Sequence, residues 1–176
     1  MAKLYGLGTV IISEVANRLM TNSDFNKLVY YKDIDEDGED IFSMPDLEDP
    51  VTALYKKQVW IHRRPDKVLH GQDVNVFITL DDFRNFTAKN EIIKTMEFTV
   101  SVLVHKECLS TPNGMRDIAL LCCISDIIEK DRYFKGLGRC NVYRVNHLFG
   151  LSTEYSGYEI ICRVDGIQTK GKWWYE

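Results

Sequence analysis

Most of the features that mark an active site in a sequence are missing from this chain. The four histidines, His62, His70, His105 and His147, have no H-x-x-x-H or H-x-E spacing, and His105 near Cys108 does not make a metal site. There is no G-x-S-x-G elbow, P-loop or dinucleotide fingerprint. The glycines of Gly136-Leu137-Gly138 lie between an expected helix and an expected strand, the reverse of the order a phosphate cradle uses. Asp81, Asp82 and Glu91 could be assembled into a nuclease, but solvation of a polar connection explains them more simply. These gaps predict no catalytic residues, no cofactor, no metal and no enzyme.

Other absences bound the class. The longest apolar run falls far short of the roughly 18 residues a membrane span needs. The opening MAKLYGLGTVIISEVANRL has a short apolar patch interrupted by Glu14, Asn17 and Arg18, so it reads as an amphipathic helix and not as a signal peptide. Cationic excess is missing too: 22 Lys and Arg against 26 Asp and Glu leave a net charge of −4. Proteins that grip nucleic acid by its phosphates are basic over the binding face, so general DNA or RNA binding is not expected beyond a local patch. The five cysteines, Cys108, Cys122, Cys123, Cys140 and Cys162, form no C-x-x-C pair and read as reduced, mostly buried thiols of an intracellular product.

The 176 residues, 45% of them hydrophobic, are ample for one core. The clearest pattern runs from Lys94 to Tyr133. Met96, Phe98, Val100, Val102 and Val104 alternate with Thr95, Glu97, Thr99, Ser101, Leu103 and His105, which predicts a long strand with one core face and one mostly wet face. Thr111-Pro112 reads as an N-cap and first helical residue, opening a helix to about Tyr133 that gathers Leu120, Leu121, Ile124, Ile127 and Ile128 in one sector. Gly136 and Gly138 would end it.

Around this centre, Thr9 to Met20 predicts a first helix, with Ser23 and Asp24 capping a second short turn and Leu28–Tyr31 as a short strand or core anchor. Val74 to Leu80 predicts a strand, 81–91 a polar connection, Arg139 to Phe149 a partly exposed strand or one that pairs with another subunit, and Tyr158 to Asp165 a last strand. The fold class expected is α+β, a mostly antiparallel four-stranded sheet packed by helices. The chain is expected to be one domain over 1–176, with its core at about 9–31 and 71–167.

Between the core segments lies an expected arm, about 32–70, punctuated by Pro45, Pro50 and Pro65. Asp33, Asp35, Asp37 and Gly38 imitate the first half of a calcium loop, but Met44 stands where a bidentate glutamate is required. An acidic solvated loop is the simpler reading, with a cation clamped between chains as the alternative. The same arm carries Lys56, Lys57, Arg63 and Arg64, with a helical turn or two at 51–57 and a short extended piece at 59–62. An acidic and a basic segment on one arm suit contact with copies of the chain, although a solvated loop of mixed charge explains them as well. The tail, 168–176, brings Trp173 and Trp174, aromatics that need burial on the parent domain or in a neighbouring chain. Lys56, Lys57, Arg63, Arg64, Trp173 and Trp174 are the candidate subunit and partner contacts.

Taken together, YYKDIDEDG, YKKQVWIHRRP, VNVFITL, TMEFTVSVLVHKE, PNGMRDIALLCCISDII, GLGRCNV and YSGYEIICRVDGI resemble, in order and spacing over residues 9–167, the tail terminator (tail completion) proteins of long-tailed bacteriophages. The resemblance implies a virion protein made in the host cytoplasm that assembles as a ring, usually sixfold. Such a ring caps the tail tube, joins it to the head-completion or adaptor protein, and passes DNA through its lumen without specific binding. Alternatives are a head-completion or twelvefold adaptor ring of the same neck, or a small α+β nucleic-acid-binding or enzymatic domain.

Overall fold

Two long hairpins, joined by a helix that crosses one face of the sheet they form, make the centre of the molecule. The computed structural model describes residues 2–32, 34, 37–61, 73–87, 90–130, 133–134, 138–148 and 153–168; side chains are described for 8–32, 34, 37–61, 73–82, 95–130, 138–148 and 153–167. The elements in chain order are α1 (Ala2–Met20), α2 (Ser23–Tyr30), α3 (Pro50–Leu54), β1 (Val59–Ile61), β2 (Val74–Thr87), β3 (Asn90–His105), β4 (Ser110–Thr111), β5 (Gly114–Met115), α4 (Arg116–Lys130), β6 (Tyr133–Phe134), β7 (Gly138–His147) and β8 (Tyr155–Gln168). The main sheet has the order β1-β2-β3-β8-β7-β6, antiparallel throughout except where β1 runs parallel to β2. The expected α+β class holds, and the four expected strands are its long members, with a short strand added at each edge.

Alternation in β3 decides which face is the core. Met96, Phe98, Val100, Val102 and Val104 are fully buried, in register with Val76 and Ile78 of β2 and with Ile160, Cys162 and Val164 of β8. Helices cover that face. α1 contributes two rows of i, i+4 side chains, Ile11–Val15–Leu19 and Ile12–Ala16–Met20, while Val10 faces outward. α4 contributes Leu120, Ile124 and Ile128 in the same spacing, with Leu121 and Ile127 only partly buried against the core.

Several local expectations are corrected. Leu28–Tyr30 is helical: α2 is capped by Asn22, whose side chain accepts from the Phe25 amide at 2.9 Å, and its period buries Phe25, Leu28 and Val29. Thr111 and Pro112 do not start the long helix. They form a tight hairpin between β4 and β5, closed by Thr111 Oγ1 donating to the Gly114 carbonyl at 2.8 Å, with Gly114 at φ +105°. The helix therefore begins at Arg116. Residues 81–87 and 90–91 extend β2 and β3, so the expected polar connection is mostly paired strand. The expected arm is folded over much of its length, since Ile41, Leu54 and Val59 are fully buried in the core and β1 joins the sheet. Residues 62–70 lie outside the described residues.

The face of β3 turned away from the helices is not mostly wet. Thr95 and Thr99 are 5% and 7% exposed, and Leu103 and His105 are buried as well. Thr99 donates to Asp81, which also accepts from Thr79, and Thr95 donates to Asp165 at 3.0 Å. Glu97 accepts two bonds from Arg163, at 3.0 and 2.6 Å, and the Arg163 guanidinium lies 4.1 Å from the centre of the Tyr143 ring. These cross-strand pairs satisfy the polar groups and explain how threonine and acid side chains occupy a shielded face.

Candidate interaction surfaces

The structure places the sequence-predicted contact residues unequally. Lys56 and Lys57 are exposed on the turn between α3 and β1; Arg63, Arg64, Trp173 and Trp174 lie outside the described residues. The turn is held firmly. The Lys56 amide donates to the Val59 carbonyl at 2.9 Å, the Lys57 and Gln58 amides donate to the Leu54 carbonyl at 3.1 and 2.9 Å, and the Gln58 side chain donates to the Val29 carbonyl at 2.8 Å. Lys56 adopts φ +60°, a conformation that residues with a Cβ rarely take, because the chain must reverse between the buried anchors Leu54 and Val59. Asp33 and Asp35 of the half calcium loop lie outside the described residues, and among the described residues no group of three His, Cys, Asp or Glu could hold a metal.

Two grooves flank α2. One, about 760 Å³, lies between the C-terminal end of α2, α3 and the start of β2, and includes Tyr30, Tyr31, Lys57 and the Lys32–Asp73 ion pair at 2.7 Å. The other, about 790 Å³, lies between α2 and α4. Leu28, Phe42 and Ile127 give it apolar wall, and Asp24, Asp126 and Glu129 give it an acidic rim with Lys130 nearby. Cys122 is exposed there, while burial first, then the charges of Asp24 and Asp126, push the Cys123 thiol up to about 12. Neither groove was legible from the sequence, because each needs side chains brought together from distant segments.

Two further groups of titratable side chains fit local structure. His105 Nδ1 accepts from the Glu107 amide at 3.3 Å and Nε2 faces Glu154 at 3.4 Å, while the ring packs edge-on against Tyr155. The Lys106 ammonium, then His105, lowers the Glu154 carboxyl below its usual value. Cys162 lies buried beside Cys140 and its thiol is raised by that partner and by burial. The partly exposed strand expected from Arg139 onward is β7, where Tyr143 is 60% exposed and Arg144 and Val145 also face outward.

The grooves and the basic turn lie within residues 22–164, the span matched by the YomW family model. The chain belongs to the YomW family. YomW is a phage-like family tied to the yom genes of the SPbeta region of a Bacillus phage, which makes this a phage-associated protein. Among curated proteins none is significantly similar to the chain. The YomW match begins at the cap of α2 and ends in β8, so it takes in both hairpins, α4 and the folded part of the expected arm.

Proposed function

We propose that this YomW-family chain is a structural virion protein of the phage neck. It forms a ring, sixfold, that terminates the tail tube and joins it to the head-completion or adaptor protein, with DNA passing through the lumen. It acts by binding alone, with no cofactor, and is assembled in the host cytoplasm. Phage association supports the setting. The observation that carries the ring is the presence of two chemically opposite surfaces on separate patches, a cationic turn at Lys56–Lys57 and an acid-rimmed groove at Asp24, Asp126 and Glu129. A closed ring is built from a heterologous contact, which requires two different, complementary faces on each subunit.

The order strand, strand, helix, strand, strand on which the resemblance to tail terminators rests is kept as β2, β3, α4, β7, β8. Such a sheet is stiff, as a wedge in a ring must be. Lys56, Lys57, Arg63, Arg64, Trp173 and Trp174 are the proposed contacts to neighbouring subunits and tail partners. The mass of the purified chain in native buffer tests the reading. About six copies supports the terminator, and about twelve favours an adaptor of the same neck. A monomer that binds oligonucleotide in a salt-dependent way contradicts both.

A further inference from the structure

The Lys56–Lys57 turn and the α2–α4 groove are opposite in charge and lie on separate parts of the surface. We propose that they bind each other between copies: the groove between α2 and α4 of one chain receives the Lys56–Lys57 turn of the next. This rests on the ring reading above and names its contact.

Charge is the first argument. Among the described residues that line the groove, the carboxylates of Asp24, Asp126 and Glu129 outnumber the one ammonium, Lys130, so its sign is opposite to that of the two lysines of the turn. The negative field is felt inside the groove, where Asp24 and Asp126 add to burial in raising the Cys123 thiol. Pre-organisation is the second. The turn is pinned by four hydrogen bonds between two fully buried residues, Leu54 and Val59, so little freedom is lost when it docks. Placement is the third. Lys57 lines the groove at the other end of α2, and the two grooves share no residue, so the turn sits apart from the acid-rimmed groove of its own chain. The exposed part of the groove's apolar wall, Phe42 and Ile127, gives the lysine stems and the half-buried Tyr55 ring a surface to cover, with the ammonium groups left at the acidic rim.

A charge swap on the full chain tests this. One variant carries Lys56→Glu and Lys57→Glu. The other carries Asp126→Lys and Glu129→Lys, in the last turns of α4, where added cations agree with the helix dipole. Circular dichroism checks that each is folded, and light scattering at low salt reads the mass. The wild type is expected to assemble, each variant alone to fall to the 20.4 kDa of one chain, and an equimolar mixture to recover the wild-type mass, because each variant then offers the other a complementary pair. A wild type that stays monomeric overturns the ring reading. A wild type that assembles while either variant assembles equally well overturns the docking contact alone, as does a mixture of monomeric variants that fails to recover.

Discussion

Arg116 is the residue on which the helical layer depends most. It is fully buried, and its guanidinium donates to the carbonyls of Leu28 at 3.3 Å, Tyr31 at 2.8 Å and Ile34 at 3.1 Å. These carbonyls are at the C-terminal end of α2 and just beyond it, where a helix leaves acceptors unsatisfied and favours a cation. One side chain at the start of α4 thus fastens the exit of α2. Arg116→Ala strands one buried and two half-buried acceptors and is expected to cost about 3 kcal/mol in urea unfolding. Arg116→Lys should recover only part, because an ammonium cannot span the fork. A loss below about 1 kcal/mol in the alanine variant would contradict this role.

The cysteines give a second prediction at this scale. Cys122 is exposed, Cys123 is held largely protonated with its thiol raised to about 12, and Cys108, Cys140 and Cys162 are buried. Alkylation of the folded chain near neutral pH, followed by mass spectrometry, should modify Cys122 first and leave Cys123 unmodified while Cys122 goes to completion. Equal rates at the two sites would contradict the described environments.

Among the elements, the junction of α2 with the short 3₁₀ turn at Ile41–Ser43 is expected to respond to acid through Asp46. Asp46 accepts from the Ser23 hydroxyl and pairs with Lys27 at 3.0 Å, and these contacts, Ser23 first, hold its carboxyl below the ordinary 3.8. Because the folded value is the lower one, the contact stabilises the fold above the unfolded value near 4 and is lost as pH falls through the folded value. The stability difference between the wild type and Asp46→Asn should therefore be constant near neutrality and shrink as pH drops below about 4. A difference that persists unchanged in strong acid would contradict it.

The sheet makes a sharper demand at Gly157 of β8, opposite Leu103 of β3. A Cβ there would lie 1.9 Å from the Val102 carbonyl oxygen, which is backbone and cannot step aside. Gly157→Ala is expected to destabilise by about 2 kcal/mol or more in urea unfolding. A wild-type midpoint would show that the strands part without cost.

What the sequence reveals of these elements follows from where the information lies. The alternation in β3 and β8 is legible because one face is wholly apolar, and α4 is legible from Leu120, Ile124 and Ile128. Leu28-Val29-Tyr30-Tyr31 reads as a short strand or a core anchor; Leu28 and Val29 do anchor the core, but as helix, because Asn22 caps α2 and Phe25 is buried in the same period. The outer half of the β2–β3 hairpin reads as a connection because the sequence at 81–91 is mostly polar and lacks clean alternation. Lys56 and Lys57 could be singled out by charge. The acid-rimmed groove could not, since it joins Asp24 to Asp126 across more than a hundred residues of chain.

At the scale of the whole molecule, a net charge of −4 is carried by surfaces of opposite character. Contacts made through the Lys56–Lys57 turn and an acidic rim are screened by added salt, so assembly should weaken steadily between about 0.05 and 0.5 M salt, read by light scattering. Assembly that strengthens with salt would point to apolar contacts, through Tyr143 and Val145 of β7 or other exposed apolar positions.

As proposed, this phage-associated chain ends the tail and joins it to the head. Electron microscopy of particles made by the encoding phage without this protein tests it most directly. Filled heads separate from tails of uncontrolled length are expected, with joined particles restored when the chain is supplied. Intact particles with tails of normal length, formed in its absence, would contradict it.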